Sequence, residues 1–334
     1  MKISFFEIQG WEKPILKKIL KGHSLNFFKE PLSINNINQA KNSDVISIFI
    51  YSKINKQILS KLPKLKLITT RSTGFDHIDL TECRKRKILL YNVPAYGENT
   101  VAEHTFALLL ALSRKIHQSY LRTIRNDFSI GGLKGFDLKG KTLGVLGVGR
   151  IGKHVVRIAR GFEMNVLASD PHPDNFLAEE LNFKYVSFQG LLKKSDIVTL
   201  HIPYTKENHH LFNKKNFNMM KKGSIIINTS RGAIIDTEAL IWALDKKIIS
   251  GVGLDVLEGE ALIKEEKQLL YDKKKITDLQ ELVKDHILLA KENVVFTPHI
   301  AFYSQEALER IIEQTAENIK SFIGKKPSKE CVVC

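Results

Sequence analysis

The sequence predicts an α/β protein built from two parallel sheets with helices on their faces. Two series of short apolar segments, separated by helix-like segments, lie in residues 1–98 and 142–297, and this alternation is typical of parallel sheets. A glycine-rich turn at residues 144–152 joins a strand-like segment to a helix-like one in the second series. With 334 residues, the chain is long enough for two domains, each with its own core.

The first series contains five strand candidates with helical patterns between several of them, for example at residues 14–20. The strand candidates are residues 3–8, 25–28, 45–51, 65–70 and 88–93. One long helix, largely apolar in its middle, is predicted for residues 99–119. We expect this helix to pass from the first domain to the second.

The second series contains seven strand candidates. They are residues 142–148, 165–169, 184–186, 197–201, 224–228, 251–255 and 294–297. Seven strands with intervening helices match a doubly wound Rossmann fold. Residues 305–323 have helical apolar spacing and are predicted to return to the first domain. The predicted domains are therefore 1–98 with 301–334, and an inserted 99–300. Residues 261–292 are predicted to form surface helices, with a lid over a cleft as the alternative.

The glycine-rich turn has the spacing G-x-G-x-x-G. Gly147 permits the tight turn, Gly149 allows close approach of a pyrophosphate, and Gly152 allows the helix to pack against the strand. The helix N-terminus favours an anion there. Asp170 ends the next strand-like segment, eighteen residues after Gly152, where a carboxylate meets the ribose hydroxyls of NAD. The motif predicts NAD as cofactor; the alternative is a glycine-rich turn without a ligand.

The composition is that of an ordinary globular protein with a formal net charge of +15. The lysines are spread along the whole chain, which favours solvated surfaces; nucleic-acid binding is the alternative. The three cysteines predict a reducing, cytoplasmic environment, and Cys331-x-x-Cys334 is interpreted as an exposed tail without a metal. The longest apolar run, residues 106–112, is too short to cross a bilayer. We expect no secretory signal and no membrane partner.

Eight segments occur in the order found in one known family. They are residues 71–76 (RSTGFD), 93–96 (VPAY), 101–104 (VAEH), 144–152 (GVLGVGRIG), 201–203 (HIP), 228–232 (NTSRG), 253–256 (GLDV) and 297–303 (TPHIAFY). On these motifs the chain resembles the D-isomer-specific 2-hydroxyacid dehydrogenases, and within them the lactate-type branch. The resemblance implies a Rossmann NAD-binding domain inserted in a flavodoxin-like substrate domain. It also implies a homodimer, with the helix after residue 98 as the expected interface.

The resemblance assigns catalysis to three residues. His299 exchanges a proton with the substrate oxygen, since an imidazole titrates near neutrality. Glu260 pairs with His299 and orients it, although Glu258 lies close enough in sequence to be mistaken for it. Arg231 binds the substrate carboxylate, because its planar fork matches that group. The structural alternatives are that His299 is a packed or surface histidine, that Glu260 is a solvated acid, and that Arg231 is an ion-paired surface arginine.

Further contacts follow from the same resemblance. Substrate binding is assigned to the backbone of Thr73 and Gly74, to the Tyr96 side chain, and to Phe302 as an apolar wall. Cofactor binding is assigned to Arg150, Ile151, Ile202, Pro203, Asn208, Thr229, Ser230 and Asp255. The predicted reaction is the interconversion of pyruvate and D-lactate. A different or larger 2-keto acid and a non-catalytic NADH-sensing regulator are the competing hypotheses.

Overall fold

The computed structural model describes residues 1–258, 276–325 and 333. The chain divides into two compact units: Met1–Tyr96 with Ser304–Cys334, and Gly97–Tyr303. The expected divisions at 98/99 and 300/301 fall close to these positions. Among the described helices, none combines the length and the apolar character that crossing a membrane requires.

The first unit contains a five-stranded parallel sheet with the order β2-β1-β3-β4-β5. Its strands are β1 (Lys2–Phe5), β2 (Ser24–Phe27), β3 (Val45–Ile48), β4 (Leu67–Thr70) and β5 (Leu89–Tyr91). The strand predicted for residues 45–51 is too long, since β3 ends at Ile48. Glu7 interrupts the backbone hydrogen bonding of the sheet beyond that residue. Its carboxylate accepts the N–H groups of Phe49 and Tyr51, both at 2.9 Å, so these groups are taken from sheet pairing.

The second unit contains a seven-stranded parallel sheet with the order β12-β11-β10-β9-β6-β7-β8. Its strands are β6 (Thr142–Leu146), β7 (Asn165–Ser169), β8 (Lys184–Tyr185), β9 (Ile197–Leu200), β10 (Ser224–Asn228), β11 (Ile249–Leu254) and β12 (Val294–Phe296). This is the doubly wound order with one added strand. The order reverses between β6 and β9, and ligands of such sheets bind outside the carboxyl ends of the strands at that point.

Helices cover both sheets. They are α1 (Glu12–Ile19), α2 (Lys56–Ser60), α3 (Leu80–Lys85), α4 (Glu98–Ser113), α5 (Ile116–Thr123), α6 (Arg150–Gly161), α7 (Asn175–Glu180), α8 (Phe188–Lys194), α9 (Lys214–Phe217), α10 (Thr237–Asp245), α11 (Ile276–Leu289) and α12 (Gln305–Ile323). Of residues 261–292, only those from 276 onward are described, and α11 accounts for most of them. The part predicted for residues 261–275 lies outside the described residues.

The single helix predicted for residues 99–119 is wrong. Lys115 adopts a left-handed conformation with φ of 56°, which ends α4 and starts α5. The cause is tertiary: the backbone oxygen of Ser113 accepts a hydrogen bond from the N–H of Phe136 at 3.0 Å. Gly135 lies so close that an added Cβ would be 2.1 Å from the same oxygen.

Helix α12 packs on the first unit, as its apolar spacing predicts. Ile312, Ala316 and Ile319 are fully buried in one cluster with Phe5 of β1 and Leu16 of α1. The helix is anchored by Asn318, whose amide donates to the backbone oxygen of Asn92 at 2.8 Å. The last helix therefore completes the core that the first strands begin.

Candidate active site

Two glycines of the G-x-G-x-x-G motif leave no room for a side chain. Gly147 has a φ of 91°, and an added Cβ would lie 2.8 Å from the backbone oxygen of His201 and from the side chain of Ile202. At Gly152 an added Cβ would meet the backbone oxygen of Gly147 at 2.1 Å. Among the described residues, nothing lies within 4 Å of the Cβ position of Gly149. Gly149 thus borders open space at the N-terminus of α6, as a pyrophosphate would require.

The start of α6 suits an anion. Its first turn contains no acidic residue, Arg150 is exposed, and Ile151 packs against the core beneath the helix. The first backbone N–H groups of a helix have no partner within the helix and carry the positive end of its dipole. The geometry therefore fits the cofactor contacts predicted for Gly149, Arg150 and Ile151.

Asp170 follows β7 and is fixed by two backbone groups. One carboxylate oxygen accepts the N–H of Val148 and the other accepts the N–H of His172, both at 2.8 Å. The carboxylate is thus attached to the glycine-rich loop itself. It occupies the position at which a ribose is bound in doubly wound folds, and these residues fit NAD.

The loop after β9 carries Ile202, Pro203 and Asn208. The Asn208 amide donates to the backbone oxygen of Pro203 at 2.7 Å, and its oxygen accepts the N–H of Thr205 at 2.8 Å. The side chain of Asn208 therefore shapes the loop. Next to the loop, burial lowers the pKa of His201 to about 3. Its Nε2 lies 2.8 Å from the Thr199 hydroxyl, and among the described residues its Nδ1 has no hydrogen-bond partner.

The loop after β10 is organised by a residue that the sequence analysis did not single out for a role. Asn228 is fully buried at the end of an apolar strand. Its oxygen accepts the backbone N–H and the hydroxyl of Ser230, at 3.0 and 2.8 Å. Its amide donates to the backbone oxygen of Arg231 at 3.0 Å. The Thr229 hydroxyl lies 3.1 Å from that of Thr105 on α4. Asn228 thereby sets the path of the chain into Arg231.

Asp255 follows β11 and is the centre of a second network. Only 1% of it is exposed. Its carboxylate accepts the Thr297 hydroxyl at 2.5 Å and the N–H groups of Ile300 and Ala301 at 2.9 Å, and the Nε2 of His104 lies 3.5 Å away. Burial raises the pKa of Asp255, but the hydrogen bonds lower it by more, so the pKa lies below its ordinary value. The carboxylate supports the 297–301 loop; its predicted cofactor contact stays a prediction.

His299 follows β12 with a strained backbone. Its φ is 57°, a left-handed conformation that is uncommon outside glycine. Its N–H donates to the backbone oxygens of Asp255 and Thr297 at 2.9 and 2.8 Å. The ring is half-buried and meets the ring of Phe302 edge to face, with centroids 6.3 Å apart. The network around Asp255 therefore maintains a conformation that histidine would otherwise avoid.

Arg231, Asp255 and His299 lie at one edge of the second sheet. They follow β10, β11 and β12, which are adjacent and parallel, so their loops lie side by side. Arg231 is half-buried, and its Nη1 donates to the backbone oxygen of Ser230 at 2.8 Å. Glu260, the predicted partner of His299, lies outside the described residues.

In the first unit, Thr73 and Gly74 lie in the loop after β4. The Thr73 hydroxyl donates to the backbone oxygen of Val93 at 2.9 Å, and the Ser72 hydroxyl donates to that of Gly74 at 2.6 Å. Within the described part of the chain, the N–H groups of Thr73 and Gly74 have no hydrogen-bond acceptor. Two adjacent N–H groups without an acceptor suit a carboxylate. The backbone oxygen of Tyr96 accepts from Arg310 at 2.6 Å.

The same edge of the first sheet contains residues that the sequence reasoning missed. Arg71 is 2% exposed and donates to the Ser47 hydroxyl at 3.0 Å and to the backbone oxygens of Phe6 and Glu7 at 2.7 and 2.9 Å. Burial lowers its pKa. Tyr51 follows β3 and is 54% exposed. The sequence signal for Arg71 was its position directly after an apolar strand, whereas Tyr51 was included in the strand predicted for residues 45–51.

Comparisons with known proteins identify relatives of this chain. Residues 106–301 match the family model described as "D-isomer specific 2-hydroxyacid dehydrogenase, NAD binding domain". A 2-hydroxyacid dehydrogenase homolog of Haemophilus influenzae is 39% identical over 100% of this chain and 99% of its own. D-lactate dehydrogenase of Escherichia coli is 37% identical over 96% of each chain. The structure of D-lactate dehydrogenase from Aquifex aeolicus, complexed with NAD and lactic acid, superposes with a TM-score of 0.88 at 38% identity, covering 99% of both chains.

The prediction of NAD as cofactor is confirmed by the family match and by the NAD-bound neighbour. The Rossmann fold and the oxidoreductase class are confirmed in the same way. The chain therefore belongs to the D-isomer specific 2-hydroxyacid dehydrogenases, a family of NAD-dependent oxidoreductases.

Proposed function

We propose that this dehydrogenase reduces pyruvate to D-lactate with NADH. The observation that carries the proposal is the placement of Arg231, Asp255 and His299 after three adjacent parallel strands of the unit that fits NAD. Bound NADH supplies the hydride. The protein must bind the keto acid through its carboxylate and deliver one proton to the carbonyl oxygen.

We assign the proton to the ring of His299. A protonated imidazole donates to the carbonyl oxygen during reduction, and a neutral imidazole accepts the hydroxyl proton during oxidation. Glu260 is proposed to pair with the ring and favour its charged form. The hydrogen bonds from the 297–301 loop to Asp255 support this role, because proton transfer requires a fixed distance between donor and oxygen.

We assign the binding of a substrate carboxylate to Arg231 in the second unit. The N–H groups of Thr73 and Gly74 in the first unit are separately proposed as carboxylate donors. A guanidinium offers two parallel N–H donors to a carboxylate, and the two N–H groups of the first unit lack an acceptor among the described residues. Tyr96 is proposed to donate a further hydrogen bond and Phe302 to form an apolar wall.

A panel of 2-keto acids tests the substrate. Initial rates with NADH and NADPH are measured on pyruvate, glyoxylate, hydroxypyruvate, 2-ketoisocaproate and phenylpyruvate. We expect the highest kcat/KM for pyruvate with NADH, and D-lactate as product. If pyruvate is among the poorest substrates, the assignment to lactate is wrong and a larger or different 2-keto acid replaces it. No turnover on any member would favour the NADH-sensing regulator.

The variant His299→Ala tests the proton transfer. We expect kcat to fall by roughly 10²–10⁴-fold, while the dissociation constant of NADH, measured by fluorescence, stays close to that of the unaltered protein. His286→Ala on α11 is the matched control, because His286 is exposed. Full activity of His299→Ala would remove this residue from its role.

We also propose a homodimer formed through α5 and the segment after it. No residue of α5 is buried. Five large apolar side chains of this region are between 57% and 86% exposed: Ile116, Tyr120, Ile124, Phe128 and Ile130. Several exposed large apolar side chains within one short segment of the chain favour an interface. A second copy is the occupant that the family resemblance favours. A cytoplasmic location and the absence of a nucleic-acid partner stay predictions of the composition.

Light scattering after size exclusion tests the dimer. We expect Phe128→Glu to convert the dimer to a monomer, because a charge would be buried at the interface. Phe176→Glu is the control, since Phe176 is 71% exposed on α7. A dimer that persists in Phe128→Glu places the interface elsewhere.

A further inference from the structure

Two histidines and one glutamate converge on one face of the second unit. His209 and His210 lie in the loop between β9 and α9, and Glu258 follows β11. One ring nitrogen of each histidine and one carboxylate oxygen of Glu258 lie within 4.8 Å of one another. The Nε2 of His210 is 2.7 Å from the Glu258 carboxylate. None of the three has a role in the proposed dehydrogenase reaction.

We propose that His209, His210 and Glu258 bind a divalent transition-metal ion of the Zn²⁺ class. Two imidazoles and a carboxylate are a ligand set that Zn²⁺ accepts, and imidazole also suits Ni²⁺ and Cu²⁺. Three protein ligands leave the fourth tetrahedral position to water. The ion would replace the hydrogen bond between His210 and Glu258 with two metal–ligand bonds.

The geometry requires only a small movement. Zn²⁺ bonds to nitrogen and oxygen are about 2.0–2.2 Å long, so two ligand atoms of one tetrahedral ion are about 3.3–3.6 Å apart. The rings of His209 and His210 are stacked with centroids 3.8 Å apart. His209 is exposed, so its ring can rotate towards Glu258 by giving up part of its stacking on His210. The Tyr204 hydroxyl, 3.4 Å from His209 Nδ1, is placed to orient that ring from outside the ligand set.

The ion would join two loops that border the predicted catalytic and cofactor residues. His209 directly follows Asn208 in the loop after β9. On the other side, the backbone of Leu257 and Glu258 packs directly on Gly232, the residue after Arg231, where an added Cβ would lie 2.3 Å from the Glu258 nitrogen. We therefore expect bound metal to stabilise the second unit against unfolding, since an ion that binds only the folded state raises Tm by mass action.

Metal binding is tested directly on the chelator-stripped full chain. Zn²⁺ is titrated by calorimetry, and Co²⁺ is titrated by its visible d–d absorption, which reports a tetrahedral site without any assay of activity. Thermal unfolding is followed with and without Zn²⁺. We expect one ion per chain at this site and an increase in Tm.

His209→Ala and Glu258→Gln test the assignment. Each is expected to weaken Zn²⁺ binding roughly tenfold or more and to remove the increase in Tm. His209 is exposed, so its replacement leaves the fold intact. His23→Ala in the first unit is the matched control and keeps full binding. The double variant Cys331→Ser/Cys334→Ser is included, because those thiols are an alternative ligand pair.

The outcomes separate cleanly. Binding that is lost in His209→Ala and Glu258→Gln but kept in the cysteine double variant supports the site. Binding that is lost in the cysteine double variant, or that is equal in His209→Ala and the unaltered chain, overturns the proposal. Absence of saturable Zn²⁺ and Co²⁺ binding to the unaltered chain overturns it as well.

Discussion

The backbone oxygen of Asp255 accepts a hydrogen bond from the N–H of His299 at 2.9 Å. The carboxylate of the same aspartate accepts the N–H groups of the next two residues, Ile300 and Ala301. Asp255 thus fixes the backbone conformation of His299, the predicted proton donor. Its role follows from position: β11 and β12 are adjacent, so the residue after one strand contacts the loop after the other.

Asp255→Asn should lower both stability and turnover. The variant keeps the size of the side chain but turns an amide donor towards groups that also donate, and each unsatisfied group costs about 1–3 kcal/mol. We expect the free energy of unfolding in urea to fall by about that amount at neutral pH, and kcat to fall with it. Asp245→Asn is the control, since Asp245 pairs with Lys291 at the surface; a change there should be small. Unaltered stability of Asp255→Asn would contradict the role of the network.

The lowered pKa of Asp255 determines whether its contribution to folding stability rises or falls with pH. In the unfolded chain the carboxyl binds a proton at a higher pH than in the folded protein, so its contribution is complete above the ordinary aspartate pKa. That contribution is lost as the pH falls through the lowered folded value. The difference in unfolding free energy between the unaltered protein and Asp255→Asn should therefore shrink in acid. A difference that grows in acid would contradict this assignment.

His201 should destabilise the protein in acid. Burial holds its pKa at about 3, whereas an unfolded histidine titrates near 6.5. Between these values the unfolded chain binds a proton that the folded chain does not, so stability falls as the pH falls from about 6.5 towards 3, by up to about 1.4 kcal/mol per pH unit. In urea unfolding between neutral and mildly acidic pH, His201→Asn should lose less stability than the unaltered protein. Equal slopes would mean that folded His201 is protonated.

Arg231→Lys should separate charge from geometry. The lysine keeps the positive charge but cannot offer two parallel donors to a carboxylate. Loss of one charged hydrogen bond corresponds to about 1.5–3 kcal/mol, so kcat/KM for the keto acid should fall by roughly tenfold to a hundredfold, with NADH affinity nearly unchanged. Steady-state kinetics and NADH fluorescence measure the two effects. Arg125→Lys on the exposed segment after α5 is the control. Normal kcat/KM in Arg231→Lys would assign the carboxylate to another residue.

Asp170→Ser should weaken the preference for NADH. The carboxylate repels the 2′-phosphate of NADPH, and removing it should lower the ratio of kcat/KM for NADH over NADPH by roughly tenfold, the factor that corresponds to about 1.4 kcal/mol. Some NADH affinity should also be lost, because Asp170 fixes the N–H of Val148 in the glycine-rich loop. Asp174→Ser is the control: Asp174 caps α7, and serine caps helices equally well. An unchanged ratio would exclude Asp170 as the discriminating residue.

The sequence predicts the strands better than the tertiary contacts that end or position the other elements. The bounds of β7 and β10 match the prediction residue for residue, because both are apolar runs bounded by polar residues and turns. The glycine-rich loop was equally readable, since its steric demands are local. The break between α4 and α5 at Lys115 could not be predicted from the sequence. It depends on a hydrogen bond from Phe136, which lies in a separate segment, to the end of α4.

The residues that position the site could not be predicted either, because their contacts join segments that are far apart in sequence. His104 and Thr297 are 193 positions apart in sequence, yet their side chains are 2.9 Å apart. The sequence shows that Arg71 follows an apolar strand, but not that its guanidinium donates to the backbone oxygens of Phe6 and Glu7, just after β1. Buried polar residues just after apolar strands, such as Asn228 and Asp255, are a signal that sequence reasoning can use, but their partners become visible only in three dimensions.

The division of the first unit into two stretches of chain affects how the protein is made. Residues 1–96 leave the ribosome before the second unit, and they include every strand of the first sheet. Helix α12, which covers Phe5 and Leu16, emerges only after the whole second unit. Domains usually fold in their order of synthesis, but the first sheet keeps apolar surface uncovered until α12 has been made. Chaperone capture during translation should therefore concentrate on residues 1–96.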